Sequence, residues 1–238
     1  MSAHEQSAAH PAEPGPSGYT LFAVFRRDPQ RPAPAGDAAA RTELAELTAA
    51  GERIAADGVV LRGWYDVSGL RADADLMVWL HGDTAEGLQA ALRVLRRTAA
   101  IDRLLPTWNA LGVHRTAEFN RAHVPGFLRE ERARDWLVLY PFVRDAEWYL
   151  LPDEDRRRML ADHGRKGAAF RSVVANTVSS FALGDYEWLL PMESDELTDL
   201  VDMMRELRNT DARRHMREEV PFFTGRRITE TEALEVLR

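Results

Sequence analysis

Short runs in which apolar and polar residues alternate take turns along this chain with longer stretches in which apolar residues recur every three to four positions. The first pattern predicts half-buried strands and the second amphipathic helices. Tyr19 to Arg26 reads as a strand, and the proline-rich DPQRPAPAG that follows reads as a loop. Arg41 to Ala56 carries Leu44, Leu47 and Ile54 at helical spacing. Two strand-like runs come next, Val59 to Val67 and Asp75 to His81, on either side of a turn at Ser68 to Ala74. Thr84 to Ala100 predicts a helix capped by Thr84, with Leu88, Leu92 and Leu95 on its buried face. Thr107 to Arg115 closes this half as another strand.

The same order returns in the second half. Asp135 to Arg144 (DWLVLYPFVR) predicts a strand and Pro152 to Asn176 a long helix, with Pro152 suited to its first turn and Asp153, Glu154 and Asp155 near its positive end. Thr177 to Ala182 and Tyr186 to Met192 predict two strands about a turn at Gly184 and Asp185. Ser194 to Leu207 predicts a helix capped by Ser194, and Arg214 to Phe223 a last strand. Each half thus reads strand, helix, strand, strand, helix, strand, which is the ferredoxin-like order. Such a sheet has one face under its helices and one still bare, so packing the two bare faces together closes a β-barrel wrapped in helices. The expected fold is α+β, with ferredoxin-like repeats at 19–117 and 135–227, a disordered tail at 1–18, a linker at 118–134 and a C-terminal tail at 228–238. The linker is long and carries His123, Pro125, Gly126 and Phe127. Long connections in compact folds are often functional, although an ordinary surface linker reads as well from this segment alone.

Composition narrows the function. With 45% hydrophobic residues the chain can build a real core, and a net charge of −7 argues against a nucleic-acid binder, whose phosphate contacts need a basic surface. The chain has no cysteine, which excludes disulfides, thiolate metal sites and covalently attached haem. No apolar run approaches the ~18 to 20 residues of a membrane span. The N-terminus lacks the pattern of a secretory signal, so a cytoplasmic protein is expected. His4 and His10 fall in the expected tail and read as solvated residues.

Candidate chemistry gathers in the second half. In the helix predicted at Pro152 to Asn176, His163 falls on the stripe formed by Met159, Leu160, Gly167, Phe170 and Val174. Taken alone, a histidine on a buried face is more often a core residue satisfied by a hydrogen bond than a ligand. Gly164 and Gly167 beside it each weaken a helix by about 1 kcal/mol relative to Ala, and missing side chains there would leave room for something flat. A haem, whose iron takes a neutral imidazole nitrogen, would fit such a space. The strand at Asp135 to Arg144 puts Tyr140, Phe142 and Arg144 on one face, and Pro141 is expected to interrupt its ladder. A buried arginine needs an anionic partner, and a propionate would serve; the other reading is an arginine reaching solvent from the strand end.

These residues sit in motifs that resemble the coproheme decarboxylases of the chlorite-dismutase-like superfamily. The likeness is carried by Y-P-F-V-R from Tyr140, E-W-Y-L-L-P from Glu147 and M-L-A-D-H-G-R-K-G from Met159. N-T-V-S-S-F-A-L-G-D-Y-E-W from Asn176 and E-V-P-F-F-T-G-R from Glu219 extend it, so it spans Tyr19 to Arg227. The resemblance implies that His163 is the proximal ligand of the iron, Tyr140 the catalytic tyrosine that becomes a radical, and Arg144 and Trp148 propionate contacts. His123 resembles the distal base of the actinobacterial branch. The implied substrate and redox cofactor is iron coproporphyrin III (coproheme), the oxidant hydrogen peroxide, and the product haem b, reached through a monovinyl intermediate. A homopentamer is implied, and transient docking with a ferrochelatase is left open. The rivals are a chlorite dismutase, a haem peroxidase of the dye-decolorising type, and a carrier that only transports haem. Chlorite dismutases use a distal arginine after the proximal histidine, whereas Val174-Ala175-Asn176 stands at that place here. A G-x-x-D-G run is also missing, which counts against a dye-decolorising peroxidase, and a carrier has no need of Tyr140.

Overall fold

The computed structural model describes residues 18–115 and 124–238. The expected tail at 1–18 therefore lies outside the described residues apart from Gly18, as do the start of the linker and His123.

The first repeat comprises β1 (Tyr19–Arg27), α1 (Asp37–Ala56), β2 (Val60–Asp66), β3 (Leu76–Gly82), α2 (Ala85–Leu95), α3 (Ala99–Asp102) and β4 (Leu104–Val113). The second comprises β5 (Trp136–Arg144), α4 (Ala146–Leu150), α5 (Asp153–Gly167), β6 (Val174–Ala175), β7 (Val178–Ser179), β8 (Trp188–Ser194) and α6 (Leu197–Leu207). It ends with β9 (Met216–Glu218) and β10 (Phe223–Ile228), and α7 (Glu230–Val236) follows. Antiparallel pairing runs β8, β7, β4, β1, β3, β2, β10, β5 and back to β8, so eight strands close a barrel with helices outside, as the repeated order predicts.

Alternation along the strands sorts the core. On β1, Phe22 and Val24 point into the barrel beside Tyr65, Trp79, Leu137, Leu139 and Phe223. Leu21, Ala23 and Phe25 point out to α1, α2 and α7. On β5 the interior residues are Leu137 and Leu139, while Val138 and Tyr140 face α6. The period of two therefore puts Tyr140 outside the barrel, in the layer between sheet and helices.

One polar group spans the interior. The β2–β3 register shifts between Leu61 and Gly63, leaving Arg62 as the extra residue of a bulge, which re-aims its side chain. The Arg62 guanidinium lies over the Trp79 ring at 4.9 Å and reaches Glu193 on β8, Nη2 to Oε2 at 2.7 Å. Glu193 is 0% exposed, so this ion pair joins the two repeats in the dry core.

Several boundaries differ from expectation for local reasons. The helix predicted to run to Asn176 stops at Gly167, and Val174–Ala175 joins the sheet instead, pairing with β8. α2 ends at Leu95, where Thr98 turns its hydroxyl back to the Leu95 carbonyl at 2.7 Å. Ser194 does not cap α6; it ends β8, and its Oγ accepts from the Glu196 amide at 3.2 Å. The strand expected at Arg214 to Phe223 divides into a 3-10 turn (Asp211–His215), β9 and, past Pro221, β10, since proline has no N–H for a ladder. Residues 228–238 are not a tail: Thr229 and Glu232 form a capping box for α7, whose Ala233 and Leu234 are buried against the first repeat.

Candidate active site

Tyr140 sits where Pro141 opens the sheet. On one side β5 pairs with β8 throughout this stretch. On the other, its pairing with β10 ends at Leu139 and that with β9 begins at Val143, so the expected interruption falls on this edge. Phe222 fills the gap and stacks on Tyr140 at 4.4 Å between centroids. The phenol is 3% exposed, and among the described residues its hydroxyl reaches only the Met204 sulfur, at 3.5 Å. Burial pushes its pKa above the usual tyrosine range; Glu219 adds to the rise, and Arg208, Arg213 and Arg144 oppose it. Glu219 itself pairs with both Arg208 and Arg213.

Arg144 ends β5 and is half-buried. Its guanidinium stacks on Trp148 at 4.1 Å and donates to the Ala212 carbonyl at 2.9 Å. Among the described residues no carboxylate forms an ion pair with it. Burial lowers its pKa, against the pull of surrounding groups that include Asp145, Glu187 and Glu219. Trp148 is buried with Met159 of α5 and Ala212, and Asp145 caps its short helix by accepting from the Trp148 amide at 2.8 Å.

His163 lies on α5, which packs on α6 and on the 3-10 turn at Asp211–His215. Only Met159 of this helix is fully buried. Gly164 is exposed with open space around it, so it does not make room inside the site as the sequence suggested; Gly167 does face the core, beside Met203 and Leu207 of α6. Burial and then the Arg144 charge hold the His163 pKa below the ordinary histidine value, which favours the neutral ring. Its Nδ1 is 3.5 Å from the Thr210 hydroxyl, and Nε2 has no hydrogen-bond partner among the described residues.

The segment from Met204 to Met216 thus gathers Tyr140, Arg144, Trp148 and His163 around one region. A metalloporphyrin that bears carboxylates suits this set, since among the described residues it holds an imidazole with one nitrogen free for a metal and a half-buried cation without an ion pair. The arginine-lined cavity of about 370 Å³ on the first repeat offers no such set, since its wall holds no histidine and its Arg27, Arg31 and Arg103 are already ion-paired.

A family model described as chlorite dismutase matches residues 38–228. The chain belongs to the chlorite dismutase family. Among curated proteins it is 57% identical over 173 residues to the coproheme decarboxylase of Mycolicibacterium smegmatis, an alignment covering 72% of this chain and 75% of that one. Among solved structures it resembles a mutant chlorite dismutase from Candidatus Nitrospira defluvii, with a TM-score of 0.81, 23% identity and coverage of 95% of this chain and 98% of that one. The same organism's chlorite dismutase in complex with imidazole gives a TM-score of 0.79 at 23% identity, covering 92% and 94%. These likenesses bear out the family resemblance and the fold.

Within this family frame, sequence reading missed several residues at the site. Thr210, Arg208 and Arg213 carry no periodic or motif signal of their own, and Glu219 opens a family-like motif that gave it no role; they join the site through the chain that follows α6. Asn176, noted only as a departure from the family's distal arginine, is fully buried. Its Oδ1 accepts from the Phe127 amide at 2.9 Å, and its Nδ2 donates to Glu193 at 3.1 Å.

Proposed function

We propose that this protein is a hydrogen-peroxide-dependent coproheme decarboxylase, which converts two propionates of iron coproporphyrin III to vinyl groups and yields haem b through a monovinyl intermediate. The observation that carries this reading is the 57% identity to a coproheme decarboxylase over most of the chain, and the grouping of Tyr140, Arg144, Trp148 and His163 supports it. Bound coproheme supplies the iron at which peroxide is reduced and the propionates that are lost. The free Nε2 of His163 is the candidate iron ligand, and Thr210 at Nδ1 would fix the ring's orientation. Arg144, which lies over Trp148 at 4.1 Å, would receive a propionate by a charge-assisted contact.

Tyr140 is the group that exchanges hydrogen with substrate. Its raised pKa keeps the phenol protonated, so its O–H is lost as an electron together with a proton. The phenoxyl radical then takes a hydrogen atom from the propionate β-carbon. Loss of carbon dioxide and one further electron leaves the vinyl group. Each propionic acid group and one peroxide give one vinyl group, one carbon dioxide and two waters, so two peroxides are consumed per haem b. His123 is the proposed base for the first peroxide proton, on the strength of the family resemblance. A homopentamer, a cytoplasmic setting and transient contact with a ferrochelatase belong to the same reading. Among the described residues no helix is long and apolar enough to cross a membrane.

The test is Tyr140→Phe, which keeps the ring on Phe222 and removes the phenolic hydrogen. Coproheme should still bind and peroxide should still be consumed, with no vinyl product by mass. Haem b formed at the wild-type rate would rule out Tyr140 as the hydrogen-abstracting group.

A further inference from the structure

Three residues from separate parts of the barrel wall grip the described part of the linker. Arg62 of β2 donates through Nη1 to the Glu131 carbonyl at 3.1 Å. Glu193 of β8 accepts from the Arg134 amide at 3.3 Å, and Asn176, between β6 and β7, accepts from the Phe127 amide at 2.9 Å. The three also bind one another, because Glu193 takes both the Arg62 guanidinium and the Asn176 Nδ2. All three side chains are buried. The close fit extends to the backbone: a Cβ at Gly126 would overlap the Val174 side chain. The other face of this wall belongs to the proposed site, since Val173 and Met192 pack in the cluster around Tyr140.

We propose that Asn176 is a positioning residue, whose amide is oriented by the Arg62–Glu193 pair and fastens the linker turn at Gly126–Arg129 to the barrel wall behind the Tyr140 cluster. Only an amide of this length offers an acceptor to Phe127 and a donor to Glu193 at once. An aspartate would lose the donor and set a second carboxylate against Glu193. The consequence for turnover rests on the proposed function, in which peroxide is activated on the linker's side of the site; the clamp itself does not.

The test compares wild type with Asn176→Ala and Gly126→Ala, which loosen the contact from opposite sides; Gly126→Ala leaves the three-residue network whole, should Asn176→Ala fail to fold. Hydrogen exchange at the Phe127 amide in the ligand-free protein should accelerate by about tenfold or more in each variant. With coproheme bound, the rate constant for peroxide should fall about tenfold while the coproheme Kd changes less than about twofold, the sign of lost positioning without lost binding. Unchanged exchange at Phe127, or faster exchange with a wild-type peroxide rate, overturns the proposal. So does a loss of coproheme affinity as large as the loss of rate, which would mark a general structural role. If wild type makes no vinyl product, the proposed function fails, and the exchange measurement alone then decides whether Asn176 holds the linker.

Discussion

Among the described residues Tyr140 has no acceptor for its proton beyond a methionine sulfur, which suits a group that gives up a hydrogen atom rather than a proton. His163 shows the complementary arrangement, since burial lowers its pKa and, among the described residues, Nε2 is left without a hydrogen-bond partner. His163→Ala should therefore bind coproheme through its propionates yet lose the absorption and magnetic signatures of an imidazole-ligated iron. The change opens a small cavity on a half-buried helix face, so thermal stability should fall by no more than about 1 kcal/mol. A variant spectrum identical to wild type would remove His163 from the iron. Tyr140, Arg144 and His163 could be singled out from sequence because each sets a polar or charged group on a face expected to be buried. Thr210 could not, because its approach to His163 depends on how the chain turns after α6; Glu219 stood in a motif, but its pairing with Arg208 and Arg213 had no sequence signal.

Among the elements, legibility followed the strength of the local signal. β1, α1, β2, β3 and β5 lie within a few residues of their predicted bounds, because their apolar periodicity is unbroken. The end of α5 could not be read, since Phe170 and Val174 continue the helical stripe while Val174 is in fact claimed by pairing with β8. Tertiary pairing overrode local pattern there. The bulge at Arg62 was equally hidden, although it creates the bridge between repeats. Burial raises the Glu193 pKa even with Arg62 beside it, so the pair has a definite pH signature. Arg62→Met should destabilise the fold by about 3 kcal/mol at pH 7, because it leaves a buried carboxylate unpaired. A carboxyl whose folded pKa is raised contributes most when protonated, and that contribution is lost as pH rises through the folded value. The loss in Arg62→Met should thus shrink on moving from pH 7 to pH 5, as urea midpoints would register. A pH-independent difference would show that Glu193 does not carry the effect.

At the scale of the whole molecule, two ferredoxin-like halves share one closed barrel, and the candidate site lies on the second. The first half has the same order of elements but spends its outer layer on α1, α2, α3 and α7, which fill the space over its sheet with apolar side chains. Over the second sheet, α5 instead stands on α6 and the following turn, leaving Tyr140, Arg144 and His163 about a shared region. That asymmetry explains why a sequence with two similar halves carries one candidate site. The most direct test of the account is to load the protein with coproheme, add peroxide in steps, and follow the porphyrin by mass. Decarboxylation should occur twice, with a monovinyl species rising near one equivalent of peroxide and haem b dominating beyond two. Coproheme that is only bleached, or that stays unchanged while peroxide disappears, would contradict it.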